Sequence, residues 1–237
     1  MSLEKQLAIE KNLHGAFDEQ ELEKRLSKED FDTFMSAKKE VSFPKGEILF
    51  DDGEKPKGVY FITSGTAKLS KSGVYGKDQI LRFIKEGDMI GYRSLLCGEA
   101  FQAKGEAMTD LEAVFIPADV YIHLLQVDSV LSYAMLQKFA FELGESSNTI
   151  TFLAQKTVRE RLAEILLLLE QKLGTDPEGF IKITLTREEI ANLIGTATES
   201  AIRLISEFKA DHLIEVEGRN FKILNHEKLI KLGHVTL

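Results

Sequence analysis

The chain has 237 residues, of which 43% are hydrophobic and 29% charged, with a formal net charge of −8. At roughly 150 residues per domain this length allows two modest domains, and the composition excludes a disordered, collagen-like or coiled-coil chain. The longest apolar run, Ile165 to Leu169, is far shorter than the roughly 20 residues that span a bilayer. Met1 to Lys5 lacks the apolar stretch of a signal peptide, and the single cysteine, Cys97, cannot form an internal disulfide. We therefore expect a cytoplasmic protein with no membrane partner and no metal or other cofactor.

The charge is divided unevenly along the chain. Residues 1–155 hold 18 Lys and Arg against 25 Asp and Glu, whereas residues 156–237 hold 12 against 13. Affinity for DNA follows local neutralisation of phosphates and not the total charge of a chain. The net acidity of the whole chain therefore does not exclude a nucleic-acid partner for its nearly neutral second part.

Residues 1–38 and 39–118 show two different patterns. The first stretch predicts a helical lead-in, with apolar residues at helical spacing and Ser27 three residues before Asp30 at a helix start. The second alternates short β-branched and aromatic runs with turns that glycine marks roughly every 8 to 12 residues. This spacing is typical of a β-sandwich or jelly roll, whose interior can hold a small ligand.

Residues 119–155 predict a long helix, because glycine and proline are almost absent and Leu, Ala, Glu and Lys dominate. The same pattern extends to about residue 171, as one helix or as two in line. Its apolar set between residues 124 and 143 is wider than one amphipathic stripe, which indicates packing on two partners. One partner could be a second copy in a dimer, and the alternative is that the whole stripe is buried in one monomer core.

Residues 156–237 predict a winged helix-turn-helix. Thr186 and Glu189 have the spacing of a capping box that starts the first helix of the pair, and Gly195 can adopt the left-handed backbone that a tight turn between helices needs. The predicted elements are a strand at Phe180–Leu185, a helix at Thr186–Ile194, a second helix at about 198–209, and a hairpin of Leu213–Val216 with Phe221–Leu224.

The second helix of this pair predicts a face that reads DNA bases. Glu199, Arg203 and Ser206 lie opposite its apolar side. In the major groove glutamate accepts from the cytosine amine, and arginine donates to guanine O6 and N7. The alternative for Glu199 and Arg203 is an exposed ion pair, but we favour base reading because the two residues lie in the first turns of the helix. Ile202 lies on the flank, where it either meets a thymine methyl or is partly buried.

Basic side chains elsewhere in the second part are candidates for phosphate contact, although each on its own is more often an ordinary surface charge. Arg219 lies at the tip of the wing. The predicted DNA-contacting residues are Thr198, Glu199, Ser200, Ile202, Arg203, Ser206, Arg159, Arg187 and Arg219.

Taken together, these segments resemble the Crp/Fnr superfamily of bacterial transcription regulators over nearly the whole chain. In the first part the resemblance lies in the stretch from Phe43 to Glu54, the segment from Val59 to Leu69, and the turn from Gly87 to Gly91. In the second part it lies in Arg161-Leu-Ala-Glu-Ile-Leu, Thr186-Arg-Glu-Glu-Ile-Ala and Gly195-Thr-Ala-Thr-Glu-Ser-Ala-Ile-Arg. The resemblance implies an α+β fold with an N-terminal cyclic-nucleotide-binding-type β-roll, a long dimerisation helix and a C-terminal winged helix-turn-helix.

The resemblance also implies partners. They are double-stranded DNA with a palindromic site, a second copy of the chain, and RNA polymerase. It favours a dimer over burial of the wide apolar stripe in one monomer, and the predicted dimer residues are Val127, Leu131, Ala134, Phe139 and Leu143.

The effector pocket departs from the pattern of the nucleotide-binding members. Those members hold the ribose with a carboxylate in a Gly-Glu-Leu-type turn and the cyclic phosphate with an Arg-Ser/Thr pair. Here Tyr92 replaces the carboxylate, and Gln102 or Ala103 replaces the bidentate donor. The candidate pocket residues are Gly91, Tyr92, Arg93, Ser94, Gln102 and Ala103. We therefore expect a small-molecule effector of unknown identity, or none, rather than cyclic AMP.

Two other classes of function compete with a DNA-binding regulator. A β-roll of this type can regulate a partner protein, as it does in kinases and channels, but such a module needs no winged helix. An enzyme finds little support, because no Gly-x-Ser-x-Gly elbow, P-loop or paired His and carboxylate site is present. We therefore expect a regulator that is not an enzyme.

Overall fold

The computed structural model describes residues 3–73 and 76–235. These residues divide into two compact units. The first unit comprises Met1–Ser72 and Leu81–Glu145, and the second comprises Gly73–Ile80 and Ser146–Leu237. None of the helices within the described ranges combines the length and the apolar character that a bilayer span requires.

Three short helices precede the β-roll. They are α1 (Leu3–Ala16), α2 (Glu19–Arg25) and α3 (Lys28–Ala37). Ser27 caps α3, because its hydroxyl accepts from the Asp30 amide at 3.1 Å, which confirms the predicted helix start. Leu22 and Phe34 are buried in a core that these helices share with the β-roll and with the helical stretch that follows it.

The β-roll consists of two four-stranded sheets that enclose a second core. The sheets have the strand orders β1-β8-β3-β6 and β2-β7-β4-β5. Their strands are β1 (Lys39–Phe43), β2 (Ile48–Phe50), β3 (Gly58–Ser64), β4 (Thr66–Ser72), β5 (Asp78–Lys85), β6 (Met89–Ile90), β7 (Lys104–Ala107) and β8 (Leu111–Pro117), with α4 (Tyr92–Cys97) between β6 and β7. Ile62, Ile84 and Leu111 are among the buried residues of this core. The expected jelly-roll arrangement is confirmed.

Two helices occupy the stretch that the sequence predicts as one long helix over residues 119–155. They are α5 (Ala118–Val127) and α6 (Ser129–Gln155). The break lies at Asp128, whose side chain accepts from the amides of Val130 at 2.9 Å and Leu131 at 3.3 Å and so starts a new helix. Asp128 also pairs with Arg25 at 2.9 Å. The helix therefore breaks at Asp128 because its buried carboxylate finds hydrogen-bond donors at a helix start that it would not find inside a helix.

The second unit has the winged helix-turn-helix order. Its elements are α7 (Val158–Leu173), α8 (Arg187–Ile194), α9 (Thr198–Ala210), β9 (Ile214–Glu217), β10 (Asn220–Ile223) and α10 (His226–Gly233). The predicted hairpin is present as the antiparallel pair β9 and β10. Both helix predictions, at 186–194 and at about 198–209, agree with the structure.

The predicted strand at Phe180–Leu185 is wrong. Only Ile181 forms a bridge, to Thr175, and the rest of the segment has no ladder and bends at Lys182. Its amides contact the hairpin at two points, from Ile181 to the Phe221 carbonyl of β10 at 2.8 Å and from Leu185 to the Arg219 carbonyl of the turn at 3.0 Å. The apolar residues of this segment are therefore buried without a strand being formed, because an irregular segment lies along the edge of the hairpin.

Candidate DNA-binding interface and effector domain

The helix-turn-helix is fixed by local capping and by one glycine. At the start of α8 the Thr186 hydroxyl accepts from the Glu189 amide at 3.1 Å, and the Glu189 carboxylate accepts from the Thr186 amide at 2.9 Å. This is the reciprocal capping box that the sequence predicts. Gly195 ends α8 with a φ of 62°, a conformation that is strained for residues with a side chain. The capping box thus fixes where α8 begins, and Gly195 allows the tight turn into α9.

The two faces of α9 are clearly separated. Its inner face buries Ala201, Leu204, Ile205 and Phe208. The opposite face carries Glu199, Arg203 and Ser206, all exposed, and the Arg203 side chain is 74% exposed. Since a side chain has to be solvent-accessible before DNA can reach it, this face meets the first requirement of a reading surface.

Ile202 is 46% exposed on the flank of the same face. It is thus accessible and not enclosed in the core, which leaves a thymine methyl as a contact that it can make. Thr198 and Ser200 lie in the first turn and are half-buried. The Ser206 hydroxyl donates to the Ile202 carbonyl at 3.0 Å, so it is satisfied within the helix while remaining at the surface.

The ion pair that Arg203 forms is with Glu207, at 3.9 Å, and not the pair with Glu199 that the sequence leaves open. Glu207 is also bound to Arg159 at 2.7 Å. A long, largely solvated contact of this kind is worth a few tenths of a kcal/mol. Arg203 can therefore leave Glu207 for another acceptor at little cost.

Two of the three predicted phosphate contacts lie together beside the wing. The Arg187 guanidinium donates to the Gly218 carbonyl at 3.2 Å and lies over the ring of Phe221 at 5.3 Å. Arg219 is exposed in the two-residue turn between β9 and β10. These cations form the positive edge of the hairpin.

Arg159 does not join that edge. Its guanidinium pairs with Glu207 at 2.7 Å and with Asp211 at 2.8 Å, and it lies 5.0 Å from the ring centroid of Phe208. These contacts connect α7 to the C-terminal half of α9. We assign Arg159 a structural role and leave it out of the proposed DNA contacts, because a phosphate would have to displace two carboxylates.

The predicted effector-pocket residues do not converge on one cavity. Tyr92 and Ser94 are buried, whereas Arg93 points toward Glu99 at 3.5 Å at the surface. Gln102 is exposed and donates to the same Glu99 carboxylate at 2.9 Å. Gly91 starts α4 in a left-handed conformation, with φ 92°, and Ala103 is half-buried. The two groups expected to supply a donor or a charge are thus directed outward.

Aromatic rings fill the interior of the β-roll. Phe50 stacks on Phe101 with ring centroids 4.0 Å apart, and Tyr60 lies against Phe43 at 5.8 Å and Phe115 at 5.1 Å. Burial raises the pKa of the Tyr60 hydroxyl. An open groove of about 670 Å³ lies elsewhere, along α3, and is lined by Lys28, Glu29, Asp32, Thr33 and Ser36. Phe50 and Phe101, the latter next to the candidate pocket residue Gln102, are therefore buried against each other in the core of the β-roll.

The dimer residues predicted from the apolar stripe mostly face the monomer core. Leu131 is 0% and Ala134 4% exposed. Phe139 packs edge-on against Tyr92 with ring centroids 5.2 Å apart, and Val127 belongs to α5. Leu143 is the most exposed of the five, at 72%, and lies on the outer face of α6. The prediction is wrong for Leu131 and Ala134, because both residues fill the core beneath the β-roll.

A set of residues that shares only Leu143 with the predicted dimer residues forms the exposed face of α6, and we call it the α6 seam. Its positions are separated by three and four residues in strict alternation, the spacing of a coiled-coil stripe. Four large members are exposed by 64% to 72%. The seam consists of Tyr133, Leu136, Ala140, Leu143, Ser147, Ile150 and Ala154. The spacing could have been found in the sequence by searching for a 3.5-residue period rather than for the width of the stripe.

The β-roll and the capped helix-turn-helix match family models that together cover most of the chain. Residues 40–128 match the cyclic nucleotide-binding domain, and residues 160–232 match the Crp-like helix-turn-helix domain. The chain belongs to the Crp/Fnr family of transcription regulators. In this Crp/Fnr chain the two models cover the β-roll with α5 and the winged helix-turn-helix.

Characterised Crp/Fnr relatives match across most of their length. The CRP-like cAMP-activated global transcriptional regulator of Mycobacterium tuberculosis H37Rv is 28% identical over 193 residues, covering 81% of this chain and 86% of that protein. The fumarate and nitrate reduction regulatory protein of Escherichia coli K12 is 28% identical over 207 residues, covering 86% and 81%. The name of the first relative states activation by cAMP, and the name of the second states fumarate and nitrate reduction. This Crp/Fnr chain is similar to both.

Solved structures show the same Crp/Fnr fold. A protein from Eubacterium rectale assigned to the Crp/Fnr family aligns with a TM-score of 0.78 at 20% identity, over 93% of this chain and all of that one. A Crp/Fnr family transcriptional regulator from Thermus thermophilus aligns with a TM-score of 0.71 at 24% identity, over 83% of this chain and 99% of that one. At these identities the likeness establishes the fold.

Proposed function

We propose that this protein is a homodimeric, sequence-specific DNA-binding regulator that inserts α9 into the major groove. The observation that carries the proposal is the exposed face of Glu199, Ile202 and Arg203 on α9, a helix whose inner face is buried and which follows the capped helix α8. Arginine to guanine and glutamate to cytosine supply hydrogen-bonded readout, and Ile202 supplies an apolar contact to a thymine methyl. Arg187 and Arg219 contact the flanking phosphates.

The dimer forms along the α6 seam. Large apolar side chains that are more than half exposed cost free energy in water, and burial recovers about 25 cal/mol per Å² of apolar surface. A parallel pair of α6 helices gives the complex a two-fold axis. Two copies of α9 then occupy successive major grooves about 34 Å apart, and the target is a palindrome with half-sites about one helical turn apart.

DNA binding by this regulator does not depend on cyclic AMP. Phe50 and Phe101 stack in the core of the β-roll, and the positions of the nucleotide anchors hold Tyr92 and the outward-facing Gln102. The protein acts in the cytoplasm as a regulator and not as an enzyme, with RNA polymerase as a further partner.

The experiment that tests the proposed function is a selection from a random duplex pool with purified, ligand-free protein, followed by sequencing of the retained DNA. We expect enrichment of a two-fold symmetric motif. Retained DNA that shows no common motif would overturn sequence-specific binding, and a motif without two-fold symmetry would overturn the dimer arrangement.

The role of Arg203 is tested on the selected duplex. Arg203→Ala should weaken specific binding by about 1 to 3 kcal/mol and relax the preference at one base pair per half-site. The matched control is Arg219→Ala, which should weaken specific and random duplexes equally and lower the salt dependence. An equal loss on both duplexes for Arg203→Ala would remove it from the reading surface.

A further inference from the structure

A lysine from outside the helix-turn-helix segment brings a positive charge to the turn before α9. Lys77 lies at the end of the turn between β4 and β5, and its ammonium donates to the Thr196 carbonyl. Both residues belong to the second compact unit, which includes Gly73–Ile80. Thr196 precedes the first residue of α9 by two positions, and this is the end of the recognition helix that carries base-contacting residues in docked helix-turn-helix proteins.

Further hydrogen bonds hold Lys77 in this position. The Gln79 side-chain amide donates to the Leu193 carbonyl at 3.4 Å and to the Ile80 carbonyl at 3.2 Å. The Gly73 amide donates to the Lys77 carbonyl at 2.7 Å. These contacts fix the backbone on either side of the Lys77 side chain, and the Thr196 carbonyl holds its ammonium. Less rotamer entropy therefore has to be lost when this ammonium binds an anion than for a surface lysine without a partner.

The position of Lys77 complements that of the wing cations. Arg187 is the first residue of α8, whereas Thr196 follows its last residue by two positions. Eight helical residues rise about 12 Å, which is close to the width of the major groove, about 12 Å. Arg187, which contacts the wing at Gly218, and Lys77 therefore lie near opposite ends of α8.

The ammonium retains capacity for an anion. It has three donors, and its hydrogen bond to Thr196 uses one of them. The residue is also exposed. We propose that Lys77 contacts a DNA phosphate on the side of α9 opposite the wing. This inference rests on the proposed function, because it requires that α9 enters the major groove.

The test separates the charge of Lys77 from its hydrogen bond. Lys77→Gln keeps an N–H donor for the Thr196 carbonyl and removes the charge. Binding is measured on the selected duplex and on a random duplex between about 50 and 200 mM salt. We expect equal weakening on both duplexes and a slope of log K against log salt that is smaller by about 0.9 per subunit, or about 1.8 for the dimer.

Two further variants serve as controls. Lys71→Gln changes an exposed lysine on β4 in the first unit and should leave affinity and slope at the wild-type values. Lys77→Arg keeps the charge and should retain most of the wild-type slope. Unfolding temperatures of all variants are compared with that of the wild type, so that a loss of binding is scored only in folded protein.

The outcomes distinguish the inference from the function on which it rests. If the wild type binds no DNA, the proposed function fails irrespective of Lys77. If the wild type binds and Lys77→Gln leaves the salt slope unchanged, the phosphate contact is wrong. Weaker binding to the selected duplex alone, with an unchanged slope, would also overturn it, since Lys77 would then only position the turn at Thr196.

Discussion

Tyr92 and Arg93 are neighbours in the chain and lie in opposite environments. The Tyr92 ring is buried, and its hydroxyl has no hydrogen-bond partner among the described atoms. Burial raises the pKa of this hydroxyl. Arg93 is about half exposed beside Glu99. Successive residues of a helix point about 100° apart, so a pocket motif that is read along the chain cannot give the direction of each side chain until the packing of α4 is known.

Glu160 is a residue whose ionised form contributes to stability. Its carboxylate accepts from the Thr157 amide at 2.6 Å and from the Thr157 hydroxyl at 2.8 Å, and these hydrogen bonds lower the pKa of Glu160. A carboxyl with a lowered pKa in the folded state contributes stability above its ordinary pKa of about 4.3. That contribution is lost as the pH falls through the lowered value.

Thr157→Val should lower the free energy of unfolding by about 1 kcal/mol at neutral pH, the usual cost of losing an N-cap. The difference from wild type should narrow as the pH falls from about 5 to 3, because protonated Glu160 no longer completes the capping box. Urea unfolding at a series of pH values measures this difference. Thr33→Val, at an exposed position within α3, is the control, and an equal loss for both variants at every pH would contradict the assignment.

At the scale of single elements, α6 shows what a sequence pattern can and cannot give. Its helical character and its wide apolar stripe are evident from the sequence, but the break at Asp128 where it begins is not. Which flank of the stripe faces the monomer depends on the β-roll, because Leu131, Ala134 and Met135 are buried in the core shared with Tyr121 and Leu124. That core is formed by segments distant in the chain, and no local period encodes its direction. The capping boxes at Thr157 and Thr186, in contrast, depend on residues three apart, and the sequence shows such signals directly.

Leu143→Glu should dissociate the dimer. It places a charge on each side of the α6 seam and removes two apolar side chains from the interface, a loss of about 3 kcal/mol or more per dimer. Sedimentation equilibrium across protein concentrations measures the shift to monomer. Val127→Glu changes a residue on α5 that is 46% exposed and outside the seam, and it should leave the dimer intact. A dimer that persists in the Leu143 variant would show that another surface joins the subunits.

At the scale of the whole molecule, the order of parts is predictable and the packing inside the β-roll is not. Composition, glycine spacing and the helix-turn-helix signature predict the order of β-roll, helices and winged helix-turn-helix that the elements show. The filled interior depends on rings from β2, β3 and the segment before β7, which meet only after both sheets have formed. Hydrophobic patterns and residue propensities along the sequence do not predict such non-local packing.

Cyclic AMP at about 1 mM should change neither the unfolding temperature nor the affinity for the selected duplex. A ligand that binds the folded state raises stability in proportion to the logarithm of its concentration over Kd, so the absence of a shift measures the absence of binding. The cAMP-activated regulator of Mycobacterium tuberculosis, treated in the same way, is the positive control. A saturable rise in unfolding temperature would show that the aromatic rings move aside for the nucleotide.

The α6 seam has one broad end and one narrow end. Leu136, Leu143 and Ile150 occupy one of its two alternating rows, while Ala140, Ser147 and Ala154 occupy the other after Tyr133. Small residues let helix axes approach toward the short end of the usual 8 to 10 Å range, whereas a tyrosine keeps them apart. Two α6 helices joined on this surface would form a wedge that closes toward Gln155. The angle of that wedge, more than the area of the contact, would set the spacing between the two winged domains and hence the length of DNA between half-sites.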